Sequence, residues 1–198
     1  MRQTVKIEAK GKHFLIDTTP DLRLQLLRDP IPRLDFLLFT HSHADHIMGL
    51  DDIRPFNFRQ RESIPVFASA NTNAALRRVF SYIWNDTQIG GGKPQIVLRD
   101  VDGPFTHEGI DIIPLPVRHG NWTILGFRLG AFAYITDTNG IPEETMALLK
   151  GVDTLALDGL RPYPKHPTHF TIDEAVEAAE RIGARITYLI HLTHDVDH

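Results

Sequence analysis

The order of apolar and polar positions along the chain predicts alternating strands and helices. Thr4–Ala9, where Val5, Ile7 and Ala9 alternate with polar residues, and His13–Asp17, with its apolar run Phe14–Ile16, read as a hairpin with Gly11 in its turn. Leu22–Arg28 has helical spacing, and Pro30 and Pro32 forbid much more. Leu34–Thr40 is an apolar run of strand length and reads as a buried strand, ending at a run of histidines. Ile64–Ala68 is a further short strand. Thr72–Trp84 reads as a helix capped by Asn71 or Thr72, and Gly90-Gly91-Gly92 marks a flexible loop. Ile96–Leu98, Ile110–Val117, Thr123–Leu129 and Ala131–Ile135 read as successive strands. Pro114 and Pro116 put the second of these at an edge or make it irregular. Pro142 at a first helical position and Gly151 just past the end bracket another helix. Thr154–Leu157 is a buried strand. Thr171 and Glu174 form a capping box that opens a helix to about Ile182, where Gly183 stops it. Ile186–Ile190 is a last strand, ending at His191. The pattern predicts a layered α/β protein, sheet on sheet with helices outside.

Composition narrows the class. At 198 residues and 42% hydrophobic, the chain suits one globular domain over 1–198, or at most two tightly packed halves. A net charge of −4 argues against a dominant electrostatic grip on nucleic acid, though not against a local basic patch. There is no cysteine, hence no disulfide framework and no thiolate metal site, which is compatible with a cytoplasmic location. No stretch approaches the ~18 apolar residues of a membrane span, and Met1–Lys12 lacks the apolar core of a signal peptide. The 11 histidines are the unusual feature.

Many of the chain's polar residues cluster just after strand ends: His41 to His46, His119, Asp137, Asp158 and His191. Ligand sites of α/β sheets commonly lie at such positions. The run His41-Ser42-His43-Ala44-Asp45-His46 offers four metal-ligand side chains directly after a buried strand. His41 and His43 can grip one ion while Asp45 and His46 grip a neighbour. A helix beginning near Ile47 would point its positive N-terminus at the site, and Gly49 permits close backbone approach.

The spacing His-x-His-x-Asp-His resembles the signature of the metallo-β-lactamase superfamily. The resemblance extends to His119 in Pro-Val-Arg-His-Gly, Asp137 in Ile-Thr-Asp-Thr, and His191 in Leu-Ile-His-Leu-Thr-His. It implies an αβ/βα four-layer sandwich that lacks terminal strands. It also implies a first ion on His41, His43 and His119, a second on Asp45, His46 and His191, and Asp137 shared between them. Asp17, in Leu-Ile-Asp-Thr, matches an aspartate that orients a ligand histidine. The implied cofactors are two divalent ions, zinc first, with manganese or iron as alternatives.

Three segments resemble the bacterial phosphoribosyl cyclic phosphodiesterase group, relatives of the tRNA 3′-end processing endonucleases. They are Thr19–Arg23, His43–Arg54 and His166–Ala175. In that group a histidine before the last helix acts as general acid, and His169 holds that position. Asp45 is then both ligand and catalytic residue. The role of His166 stays open. His194 matches a structural-zinc histidine of some members, but without cysteines it is not expected to serve so here. Thr19 stands where the group commonly has glycine. The group also has further strands at both ends, so exposed sheet edges and a homodimer are expected.

The implied activity is a phosphodiesterase acting on a small cyclic phosphate or nucleotide, through a hydroxide shared by two metal ions. Arg54, Arg118 and Arg161 are candidates for phosphate contacts. A thioesterase or lactamase on the same ions, and a non-catalytic metal-binding accessory protein of biosynthesis, remain alternatives.

Overall fold

The computed structural model describes residues 4–86, 92–194 and 196. Gly90 and Gly91 of the expected loop lie outside the described residues. The chain divides into two compact units, Arg2–Asp102 and Gly103–His198.

The N-terminal unit is a mixed five-stranded sheet, ordered along the chain: β1 (Val5–Ala9), β2 (Lys12–Ile16), β3 (Phe36–Leu38), β4 (Ile64–Ala68) and β5 (Ile96–Asp100). β1 and β2 form the expected hairpin, antiparallel, turning through Lys10 and Gly11, which both have positive φ. Positive φ at both turn positions matches the twist of the flanking strands. β2 to β5 then run parallel. Parallel neighbours need crossovers, and helices supply them. α1 (Leu22–Arg28) joins β2 to β3. α2 (Ala44–Ile47), a 3-10 turn over Leu50–Ile53 and α3 (Arg54–Gln60) join β3 to β4. α4 (Ala70–Val79) leads towards β5. The central strand β3 is fully buried, as a strand covered on both faces must be. Phe14 stacks on Phe36 with ring centroids 4.1 Å apart. Leu15, Leu37, Ile47, Leu50, Ile53, Val66 and Leu76 close the core.

The C-terminal unit is a mixed six-stranded sheet containing β6 (Phe105–His107), β7 (Ile110–His119), β8 (Trp122–Leu129), β9 (Phe132–Ile135), β10 (Thr154–Asp158) and β11 (Ile186–Ile190). β6 to β9 are an antiparallel meander, and β9, β10 and β11 are parallel. α5 (Glu143–Leu148) and α6 (Ile172–Ile182) make the two crossovers. The capping box at Thr171 and Glu174 is present, and Gly183 ends α6 in the left-handed conformation. Ala175, Ala178, Ala179 and Ile182 carry α6 onto Leu115, Leu155 and Leu157.

Pro114 and Pro116 are placed as their chemistry requires. β6 pairs only as far as Ile112. Beyond it, the Pro116 carbonyl accepts from Thr145 Oγ1 and Arg118 exchanges backbone bonds with the segment Asn139–Gly140. Residues of this parity therefore face away from β8, where a missing N–H costs no ladder bond.

Several boundaries differ from expectation. The Thr72–Trp84 helix is α4 followed by a 3-10 turn, and its cap is Ser69, whose Oγ accepts from Thr72 N–H at 3.2 Å. Pro142 is the N-cap of α5 rather than its first residue. Among the described residues no helix is long and apolar enough to cross a membrane.

Candidate metal centre

In the N-terminal unit β2 and β3 run parallel, so Asp17 and the histidine run leave the sheet at the same edge. The Asp17–Thr19 turn is laced to the segment His46–Gly49. Thr18 N–H donates to His46 O at 2.7 Å, and Gly49 N–H donates to Thr18 O at 2.9 Å. A Cβ on Gly49 would lie 2.0 Å from Thr19 O, which is the close approach that makes glycine necessary. Thr19 is accommodated: its N–H donates to Thr4 Oγ1 at 3.1 Å.

Asp17 has a φ of 62° and a fully buried carboxylate. It accepts from Thr40 N–H and Thr40 Oγ1, each at 2.8 Å, and faces His46 Nδ1 at 2.7 Å. Burial pushes its pKa up, against the lowering pull of His46 and of the bonds from Thr40. These bonds fix tautomers. With His46 Nδ1–H donating to Asp17, the lone pair of that ring sits on Nε2, 3.6 Å from Asp45 Oδ2. The Thr40 hydroxyl donates to Asp17 and so accepts from His41 Nδ1–H at 3.0 Å. That leaves the His41 lone pair on Nε2, which faces His43 Nδ1 at 3.0 Å. Two imidazole nitrogens at that spacing share either a proton or a cation. α2 begins at Ala44, three residues before the expected start, and spans one turn. Its dipole is correspondingly small.

In the C-terminal unit β7, β9, β10 and β11 point the same way, so their C-terminal ends share one edge. His119, Asp137, Asp158 and His191 are found there. Asp137 and His191 have φ of 53° and 61°, left-handed conformations that cost a non-glycine residue energy and turn the side chain off its strand. His119 Nδ1 meets the Thr168 carbonyl at 3.0 Å and must donate to it, leaving its lone pair on Nε2. Asp137 Oδ1 accepts from Thr136 Oγ1 at 2.6 Å and lies 3.4 Å from His191 Nε2. Within this unit, ligand atoms of His119 and Asp137, and of Asp137 and His191, fall within 4.8 Å of one another. The same holds for His41 with His43, and for Asp45 with His46, in the other unit. Imidazole nitrogens with tautomers fixed from behind, paired with carboxylates, fit divalent ions.

His169 is buried beside this group. Its Nδ1 is 3.0 Å from Asp158 Oδ2, and its Nε2 is 3.9 Å from Asp137 Oδ2. Asp158 Oδ2 also accepts from Thr138 N–H at 3.0 Å. Burial raises the Asp158 pKa, opposed by His169. The hold that Asp158 has on His169 is not readable from sequence; the signal available was a carboxylate at the end of a buried strand. The His166 ring lies 5.0 Å from that of His169, and its Nδ1 accepts from Thr168. Burial and the neighbouring His169 and Arg161 charges lower the His166 pKa.

The arginines divide. Arg54 is committed inside its own unit: its guanidinium reaches Asp51 Oδ2, Asp51 O and Gly92 O. Arg118 is exposed, with its side chain along Gly140. Arg161 donates to Pro164 O at 3.1 Å and stays in the loop that carries His166 and His169.

Residues 12–192 match the family described as the β-lactamase superfamily domain. The chain belongs to this superfamily. Its two mixed sheets with flanking helices are those of the metallo-β-lactamase α/β fold, and metal-dependent hydrolysis is the superfamily's chemistry. A solved diphosphatase from the PhnP family is 42% identical, with a TM-score of 0.91 over 100% of this chain and 75% of that one. An octanoyltransferase of Porphyromonas gingivalis is 37% identical over 186 residues, 93% of this chain. A ribonuclease Z of Bradyrhizobium diazoefficiens is 30% identical over 129 residues, 61% of this chain. The chain spans 37% and 41% of the length of those two curated relatives.

Proposed function

We propose that the chain is a metal-dependent phosphodiesterase acting on a small substrate, a cyclic phosphate, a nucleotide or a diphosphate-bridged ester. In this reading His41, His43 and His119 hold one divalent ion, Asp45, His46 and His191 hold a second, and Asp137 serves both. The family match supports it, because residues 12–192 take in every one of these positions. When bound, the ions would supply an activated hydroxide and offset charge on the phosphoryl oxygens. The chain's own residues do the rest. Asp17, Thr40 and the Thr168 carbonyl hold the ligand rings by their Nδ1 side. Asp158 holds His169 by Nδ1, so Nε2 is the nitrogen that delivers a proton to the leaving oxygen. Arg161 shares the loop of that acid, which supports it as the phosphate contact among the candidate arginines.

The observation that carries the reading is the Asp158–His169 pair with Nε2 turned to Asp137. A buried histidine held by a carboxylate suits an ester whose departing oxygen needs a proton. The octanoyltransferase relative favours a second reading, acyl-thioester cleavage, but most of that protein's length lies outside the match. Turnover of a bis-aryl phosphodiester, an octanoyl thioester and a chromogenic cephalosporin, each with Zn²⁺ or Mn²⁺ added, separates the two. The phosphodiester should be cleaved in preference; exclusive thioester or lactam turnover overturns the proposal.

A further inference from the structure

Asp158 has a second oxygen that the reaction outlined above does not use. Oδ2 is committed to His169 and to Thr138 N–H. Oδ1 is buried and has no hydrogen-bond partner among the described residues. A carboxylate oxygen taken out of water without a partner is costly. It faces His191 Nδ1 at 4.0 Å. The His169 and His191 rings are stacked, centroids 5.0 Å apart and planes within 16°. Both rings therefore present an Nδ1 edge to the same carboxylate, and both direct Nε2 to Asp137, at 3.9 and 3.4 Å. Two parallel imidazoles thus lie between one pair of carboxylates.

We propose that Asp158 is a positioning residue for both histidines, anchoring the proton donor His169 through Oδ2 and the ligand His191 through Oδ1. The inference rests on the two-ion reading for the role of His191. Its content is that one side chain couples ion retention to proton delivery. An ion on His191 Nε2 requires the lone pair there and the proton on Nδ1, where Oδ1 is the acceptor. Asparagine at 158 keeps its acceptor at the Oδ2 place, where Thr138 N–H donates, and so turns a donor instead of an acceptor towards His191 Nδ1, whether or not His169 is present.

The test is a cycle of Asp158→Asn, His169→Ala and the double variant, read by competition of the apo proteins with a chromogenic chelator for Zn²⁺. If Asp158 acts on both rings, Asp158→Asn weakens the more loosely held ion by about 10- to 100-fold, the usual effect of losing such a partner. It should do so equally in the His169→Ala background. Unchanged affinity in that background overturns the proposal, since Asp158 would then act through His169 alone. The wild-type protein gives a second readout that no folding defect can disturb. Loaded with Zn²⁺, it should show a hydrogen-bonded His191 Nδ1–H in ¹⁵N-resolved NMR; an Nδ1 without its proton overturns the proposal. His191→Ala separates the two levels. If it loses an ion while Asp158→Asn keeps wild-type affinity, the shared anchor falls and the two-ion reading stands. If His191→Ala loses no ion, both fall.

Discussion

Asp17 Oδ2 and His46 Nδ1 are 2.7 Å apart at the bottom of the N-terminal cluster, and both side chains are buried. The carboxylate decides which nitrogen of His46 faces forward. Asp17→Asn keeps the shape and the bond to one donor but weakens the hold on the imidazole. Metal affinity of that variant is expected to fall by about 10- to 100-fold with the fold intact. Chelator competition alongside a thermal melt measures both quantities, and unchanged affinity would remove Asp17 from the metal centre.

His169→Ala should leave metal content at the wild-type level. Turnover of an alkyl phosphodiester, whose leaving oxygen needs a proton, is expected to fall by roughly 10²- to 10⁴-fold. An aryl phosphodiester, with a stable leaving anion, should lose much less. Equal losses for the two substrates would show that His169 is not the proton donor.

Gly49 and Gly151 make a paired stability test. Gly49 has an ordinary φ of −86°, so alanine there is resisted by collision alone, 2.0 Å from Thr19 O. Because the obstacle is backbone, Gly49→Ala should cost about 3 kcal/mol or more, the upper end for an overpacked site. Gly151 has a φ of 79° and open space around it. Gly151→Ala should cost only the left-handed penalty of about 1–2 kcal/mol. Denaturant titration of both variants checks the order.

The α6 cap carries a pH dependence. Burial alone would raise the Glu174 pKa, but Lys165 and the Thr171 N–H and hydroxyl outweigh it, and the net shift is downwards from 4.5. A carboxyl depressed on folding contributes stability that is present above its unfolded pKa and lost as pH falls through the folded one. Glutamine preserves the capping geometry without the charge. The melting-temperature gap between wild type and Glu174→Gln should therefore be widest above pH ~4.5 and close at lower pH. A gap that widens in acid would contradict this.

The features legible in the sequence share one property: a local signal settles them. The turn at Gly11, the helix stopped before Pro30 and the Thr171–Glu174 box each depend on neighbours in the chain. The histidine run announced metal chemistry for the same reason, since its donors are crowded into six residues. The segment after it was not legible. Residues 44–60 hold two short helices and a 3-10 turn, none long enough to complete two apolar periods, and Pro55 reads as a breaker although it stands at the start of α3. Ser69 does not stand out as the cap, because Asn71 and Thr72 carry the same chemistry two and three residues later. β6 is three residues long, too short for alternation to show. Asp158 needed three dimensions, because its importance lies in the ring edges that face it from α6's leading loop and from the end of β11. Arg54 is a candidate for phosphate by residue type alone, and its bonds to Asp51 and Gly92 are not legible in the sequence.

The most direct test of the whole account is the number of metal ions per chain. Elemental analysis of the wild-type protein saturated with Zn²⁺ and desalted should give about two ions, as a two-metal site requires. His43→Ala and His191→Ala, one from each cluster, should each retain about one and lose phosphodiester turnover. A wild-type stoichiometry in both variants would contradict the assignment of these histidines as ligands, and with it the proposed activity.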